Sequence, residues 1–164
     1  MGVENTVLDT LAFRQVMSRF PTGVTVVTTF GPDGAPLGLT VNSFTSVSLD
    51  PPLVLVCLGH ASSSRDPLLG ARSFAVNVLS AGQRGLAARF AAEPSAGRFD
   101  GVAWRPGPNG APVLSDVAAW VACTPEASYE AGDHTILVGR VEAADTGTEE
   151  ALAFYCGAFG AVVG

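Results

Sequence analysis

The chain changes polarity twice between Gly38 and Leu58, GLTVNSFTSVSLDPPLVLVCL. Short polar residues come first: Thr40, Asn42, Ser43, Thr45, Ser46 and Ser48. Asp50-Pro51-Pro52 breaks the segment, and Leu53 to Leu58 is then an unbroken apolar run. The first half predicts a strand that presents short polar groups, and the second a strand buried on both faces. A polar-lined strand hairpinned onto a core strand is a floor for a ligand pocket.

The rest of the pattern supplies walls around that floor. Leu11, Phe13, Val16, Met17 and Phe20 recur at helical spacing and predict a helix over Thr10 to Arg19, capped by Asp9 or Thr10. Val24 to Phe30 is β-branched and predicts a strand. Gly31-Pro32-Asp33-Gly34 predicts a turn, and Pro36 to Ser46 the returning strand. Ser64 to Gly70 predicts a short helix, with Asp66 and Pro67 suited to its first turn. A strand over Ser73 to Leu79 follows, then a helix over Gln83 to Ala92 with Leu86 and Phe90 on one face. Glu93 to Ala111 is a Gly- and Pro-rich loop holding Phe99 and Trp104. Val113 to Cys123 and Thr124 to Glu130 predict two further strands, Gly132-Asp133-His134 a turn, and Thr135 to Glu142 another strand. Glu149 to Gly160, rich in alanine and aromatics, receives no element. About seven short, turn-linked strands with helices in the connections make a mainly β protein with peripheral helices, a closed or nearly closed antiparallel barrel. No repeat or linker divides the chain, so residues 1–164 read as one domain.

Composition narrows the function classes. Apolar residues make up 48% of the chain and charged residues only 15%, a balance that predicts apolar surface covered by a second subunit. The net charge of −6 argues against a nucleic-acid partner. All nine basic residues are arginine, which excludes Schiff-base and P-loop lysines. Cys57, Cys123 and Cys156 form no metal pattern and are expected as thiols in a reducing cytoplasm. The first ten residues show no secretory leader, and no apolar run approaches a membrane span, so the expected location is cytoplasmic. GxGxxG, GxxxxGK[ST] and GxSxG are all absent. His60 and His134 are too few for most metal sites, and none is expected. A hydrolase triad would need His134, its own neighbour Asp133 and a serine, and adjacent residues rarely orient one another. The residues by themselves therefore predict small-ligand binding without saying which ligand.

Five segments in order are familiar: FRQVMSRFPTGVTVVTT, GLTVNSFTSVSLDPPLVLVCL, SFAVNVL, RFDGVAW and GDHTILVGRVE. From Phe13 to about Phe159 the chain resembles the flavin reductase-like, FMN-binding split-barrel family, the reductase components of two-component flavin monooxygenases. The resemblance implies a Greek-key-like split β-barrel that forms a homodimer and binds FMN or FAD. It also implies NADH or NADPH as reductant, with hydride passing from nicotinamide to flavin and reduced flavin passing to a partner monooxygenase. Such chemistry belongs to the cofactors, which accounts for the lack of a strong catalytic constellation.

Carried over residue by residue, the resemblance makes Asn42, Ser43, Thr45 and Ser46, with Thr40 before them, the flavin floor. Cys57 and Leu58 lie where the chain passes along the flavin. Ser62, Ser63 and Ser64 precede a helix and would receive a phosphate, and Arg89 and Phe90 would meet the phosphate or adenine side. His134, in the GDH turn, would line the nicotinamide side and bind the dinucleotide or assist proton delivery; it is the one catalytic residue expected. Asp133 would organise the turn, and Tyr155 would stack on nicotinamide or flavin. The C-terminal segment departs from the family pattern: Cys156 stands where an arginine is usual and Phe159 where a tyrosine is usual. That departure motivates a second reading, a flavin-binding carrier or sensor without turnover. A third is a split barrel holding a deazaflavin or haem.

Overall fold

The computed structural model describes residues 8–162; residues 1–7, where the leader reading begins, lie outside that range. In chain order the first elements are α1 (Thr10–Met17), β1 (Thr22–Gly23), β2 (Thr25–Phe30), β3 (Pro36–Val41), β4 (Thr45–Leu49) and β5 (Pro52–Gly59). Then come α2 (Arg65–Leu69), β6 (Phe74–Val78), a 3-10 turn over Ala81–Gln83 and α3 (Arg84–Ala92). The last elements are β7 (Trp104–Pro106), β8 (Pro112–Leu114), β9 (Ala119–Ala131), β10 (His134–Thr146), β11 (Leu152–Tyr155) and β12 (Ala158–Ala161).

Seven strands form one antiparallel sheet in the order β3-β2-β6-β9-β10-β5-β4. Val41 of β3 and Val54 of β5, near opposite ends of that order, share one buried cluster with Val27, Val56, Leu58, Phe74, Val76 and Leu137. The sheet therefore curls around this cluster. A second cluster lies on the other face: Val26, Ala75, Phe90, Val113, Trp120, Ala122 and Leu152 pack there under α3 and the β7–β8 hairpin. β1, β11 and β12 make a separate small sheet.

The strands buried on both faces are β2 and β6, because successive residues feed opposite clusters: Val26 and Val27 on β2, Ala75 and Val76 on β6. This corrects the expectation for Leu53 to Leu58. On β5 only Val54, Val56 and Leu58 are buried, while Leu53, Leu55 and Cys57 are half-covered. An unbroken apolar run does not report double burial here, since one face of β5 remains open within a single chain. The doubly buried strands instead carry polar side chains, each of them bonded. Thr25 donates to Val41 O at 2.7 Å and Thr29 to Ser73 O at 2.7 Å. Asn77 donates to Val26 O and to Thr28 Oγ1, both at 3.0 Å, and accepts from Leu114 N at 2.9 Å, which fastens β8 to the sheet.

Other expectations are corrected by topology. Pro36 to Ser46 is not one strand: the chain leaves one edge of the sheet at Val41 and joins the opposite edge at Thr45. Thr124 to Glu130 is not separate, because β9 runs unbroken through Pro125. Val138 pairs with Ala127 and Gly139 with Pro125, so a bulge at Glu126 accommodates the proline that lacks a ladder donor. The loop after Glu93 contains β7. The unassigned C-terminal stretch is the β11–β12 hairpin, turning at Cys156 (φ 48°) and Gly157 (φ 78°). A cysteine in left-handed backbone is rare, so it gives no turn signal in sequence. Asp9 is the cap of α1, accepting from Leu11 N at 3.3 Å.

Candidate active site

The Asn42–Ser46 segment crosses from one sheet edge to the other, and this crossing forms one wall of a cleft of about 710 Å³. Asn42, Ser43 and Thr45 line it, together with Thr22, Phe44, Phe154 and the end of α1. Ser43 does more than face the cleft. Its hydroxyl accepts from Cys57 N at 3.0 Å and donates to Cys57 O at 3.2 Å, standing in for strand pairing just before β4 begins. Thr45 donates to Ser46 O at 3.3 Å, and Ser46 lies at a bulge in the β4–β5 pairing. Leu58, expected beside the ligand, is instead fully buried in the core and presents no surface to the cleft.

A smaller pocket of about 350 Å³ lies beside this crossing, lined by Leu39, Thr40, Ser62, Ser63, Phe90 and Arg98 among others. Thr40 donates to Ala87 O at 2.7 Å and so ties β3 to α3. Ser64 is buried; its hydroxyl donates to Gly38 O at 3.5 Å and its N–H to Ser62 Oγ at 3.3 Å. Phe90 is wholly buried, its ring 5.0 Å edge-on to Phe99, and it backs the pocket as a core residue. Arg89 does not line the pocket: it donates to Asp100 O at 2.8 Å and pairs with Glu93 at 3.8 Å. The guanidinium that does is Arg98, only 9% exposed, donating from Nε to Glu93 O at 2.8 Å and from Nη1 to Gly38 O at 2.7 Å. Burial lowers its pKa, partly offset by the Glu93 charge. Among the described residues no carboxylate lies within ion-pair distance of it. A largely buried guanidinium bonded only to carbonyls has no counter-charge beside it, which suits it to receive an anion.

The third part is the β9–β10 hairpin. Gly132 (φ 66°) opens a two-residue loop, the conformation a tight hairpin needs at that position. His134 Nδ1 lies 2.6 Å from Asp133 Oδ1. Adjacent residues do orient one another here, contrary to expectation, because the loop folds the aspartate back over the ring. The hydrogen bond and charge of His134 hold the Asp133 carboxyl below its usual range. Among the described residues no serine hydroxyl is bonded to His134, so a hydrolytic triad is not assembled. Glu130 couples this hairpin to the turn after β5. Its carboxylate accepts from Thr135 Oγ1 at 2.9 Å and from Arg65 Nη2 at 3.0 Å, and lies 2.8 Å from His60 Nε2. Arg65 Nε also donates to Thr135 Oγ1 at 2.9 Å, and His60 N to Asp133 O at 2.9 Å.

The hydrogen bond from Thr135, with Arg65 and His60 adding charge, lowers the Glu130 pKa. A depressed folded pKa means that the carboxylate favours the folded arrangement fully above its ordinary value of 4.5 and ceases to do so as the pH falls through the lowered one. Residues 60–65 and the hairpin are therefore expected to exchange amide hydrogens faster relative to the β2–β6 core once the pH is taken below that ordinary value. Glu130→Gln should show the same relative acceleration already at neutral pH, and equal protection in both proteins across this range would contradict the coupling.

β5 joins the parts. Cys57 is bonded to Ser43 at the cleft, and two residues on Gly59 pairs with His134. The turn after Gly59 carries Ser62 and Ser63 into the Arg98 pocket. Tyr155 is half-exposed next to Phe154, and its hydroxyl is the main influence raising the pKa of Arg19. Cys156 N donates to Ser18 O at 3.0 Å, placing this turn against the end of α1. Sequence reading missed Arg98, visible only as part of RFDGVAW, and Thr22, because neither motif nor spacing reports burial without a partner. A flavin fits these features: an apolar cleft with polar edges for the ring, and a buried guanidinium with hydroxyls for the phosphate.

Comparisons with known proteins agree with that fit. One relative, a probable flavin reductase of Rhizobium meliloti, is 46% identical over 93% of this chain and 49% of its own length. Another, the reductase component of a flavin-dependent trigonelline monooxygenase of Acinetobacter baylyi, is 42% identical over 89% of this chain and 47% of its own. The chain thus spans about half the length of these relatives. The solved structure of the Streptomyces globisporus NADH:FAD oxidoreductase, in complex with NAD and FAD fragments, superposes with a TM-score of 0.88 at 43% identity, covering 94% of this chain and 93% of that one. Residues 17–162 match the family described as a flavin reductase like domain. With this match and these identities added to the geometry, the chain belongs to the flavin reductase-like family.

Proposed function

We propose that the protein is an NAD(P)H-dependent flavin reductase that passes hydride from nicotinamide to FMN or FAD and supplies reduced flavin to a partner monooxygenase. The observation that carries this reading is the placement along β5 of a ring-sized cleft, an anion pocket and an Asp133-oriented histidine. Bound flavin supplies the hydride acceptor. Asn42, Ser43, Thr45 and Ser46 hold its ring through hydroxyl, amide and backbone groups, with Cys57 alongside. Thr40, Ser62, Ser63 and Arg98 frame its phosphate. His134, with Nδ1 engaged by Asp133, presents Nε2 to the nicotinamide or to a proton. The relatives named as reductases or reductase components support the same reading.

The half-open face of β5 and the solvent-facing apolar arc of α1, with Phe13, Val16 and Met17 followed by Phe20, support a homodimer. Light scattering on the purified protein tests it. The three cysteines are free thiols, which supports a cytoplasmic location. Among the described residues no helix is long and apolar enough to cross a membrane.

The deciding assay follows NADH and NADPH oxidation with FMN, with FAD and without flavin. Flavin-dependent oxidation is expected, and its absence with either nucleotide would sink the reading. Cys156, in place of the usual arginine, favours the carrier or sensor reading instead, and flavin binding without turnover would establish that one.

A further inference from the structure

We propose that Thr135 is a positioning residue whose hydroxyl holds His134 in place for the nicotinamide step. Thr135 is buried, and its hydroxyl is engaged both as acceptor and as donor. It accepts from Arg65 Nε at 2.9 Å and donates to Glu130 Oε1 at 2.9 Å. Other buried hydroxyls serve the backbone instead. Thr25, Thr28, Thr29 and Ser64 donate to the carbonyls of Val41, Pro112, Ser73 and Gly38. Among the described residues, Thr135 is the one buried hydroxyl bonded to charged side chains. Glu130 is its partner across the hairpin, so their bond ties β9 to β10. Arg65 opens α2, so its bond ties the hairpin to the turn after β5. Arg65 Nη2 also donates to Glu130 Oε1 at 3.0 Å, which closes a ring of three hydrogen bonds.

The place of this lock points to its purpose. His134 is the first residue of β10 and follows a two-residue loop, a strand end that frays readily. Its neighbours on both sides are fastened to residues 60–65. Asp133 O accepts from His60 N at 2.9 Å, and Thr135 is bonded to Arg65. The Glu130 side chain is 64% exposed, so its ion pairs add little to the stability of the fold. What they fix is the position of the strand end, and with it the Asp133–His134 pair.

The inference rests on the flavin reductase reading, and its test is arranged so that the two can fail separately. Thr135→Val keeps the shape and removes the hydroxyl; Thr135→Ser keeps the hydroxyl. Both are made with His134 present and in the His134→Ala protein. Kinetics are measured at saturating FMN with the nucleotide that the wild type prefers. With His134 present, Thr135→Val is expected to lower kcat/KM for the nucleotide by about three- to tenfold. In the His134→Ala background the same change should cost less than about twofold, because an absent ring cannot be misplaced. Thr135→Ser should keep most of the activity. Equal losses in both backgrounds overturn the assignment, since a merely structural defect acts with or without the ring. His134→Ala with wild-type kinetics overturns it too, and leaves the reductase reading standing. A second readout needs no turnover. The chain has two histidines, so the imidazole NMR signals of the ligand-free protein are assigned by substitution. The His134 signal should shift or broaden in Thr135→Val and stay in place in Thr135→Ser; an unchanged signal in Thr135→Val overturns the assignment. If Thr135→Val does not fold, Glu130→Ala, on the exposed side of the lock, carries the same comparison. A wild type that oxidises neither nucleotide would overturn the reductase reading, and the His134 signal then decides whether Thr135 holds the ring.

Discussion

Replacing His134 with alanine is expected to lower kcat/KM for the nicotinamide by roughly tenfold to a hundredfold, while flavin affinity changes by less than about twofold. The ring stands at the first residue of β10, paired with Gly59 and outside the lining of the Arg98 pocket, so its loss removes nothing from that pocket. Its Nδ1 is engaged by Asp133 at 2.6 Å, so in the proposed reaction Nε2 is the nitrogen left to meet the nicotinamide. Asp133→Asn removes the carboxylate charge and lets an amide donor compete with the acceptor at Nδ1, so the ring is held less firmly in one tautomer. That variant should lose part of the same activity without altering the fold. Steady-state kinetics at saturating flavin, with flavin Kd measured in parallel, distinguish the outcomes. A His134→Ala protein with normal turnover but lost flavin binding would place the histidine on the wrong ligand.

Replacing Arg98 with methionine should weaken FMN binding by roughly ten- to a hundredfold, the range of a charge-assisted hydrogen bond lost from a buried site. The comparison that matters is riboflavin, which has the same ring and no phosphate. Its affinity should change little. Arg98 also holds Gly38 O and Glu93 O, so some loss of melting temperature is expected as well. Equal losses for FMN and riboflavin would mean that Arg98 serves only to brace the loop against β3. Arg89, tied to Asp100 O and Glu93, serves as the contrasting position: Arg89→Met should leave the FMN-to-riboflavin ratio near that of the wild type.

Much of the fold could be read from local pattern. The first helix, expected over Thr10 to Arg19 and found over Thr10–Met17, the hairpin turning at Gly31 to Gly34 and the strands on either side of it follow from spacing, β-branching and turn chemistry. The readings failed where a decision depended on partners distant in sequence. Thr45 joins a different edge of the sheet from Val41, and no residue between them marks the change. Pro125 would break an ordinary strand, yet a bulge opposite Gly139 absorbs it. Ser43 and Thr45 were visible as short polar groups beside a core strand. That the Ser43 hydroxyl also closes the ladder at Cys57 depends on how the β5 edge meets the crossing segment.

The sequence by itself determined a mainly β chain, the run of short polar residues between Thr40 and Ser46 and the Gly132-Asp133-His134 turn, because these rest on residues within a few positions of one another. Its ordered motifs were sufficient for the family. Only the tertiary structure decided that β2 and β6 are the doubly buried strands, that Arg98 enters the pocket beside Thr40 while Arg89 does not, and that, among the described residues, Thr22 Oγ1 is the one buried side-chain polar atom left without a partner. The reason is physical. Burial and hydrogen-bond satisfaction are properties of what surrounds a group, and for these residues the surroundings come from strands and loops far away in the chain.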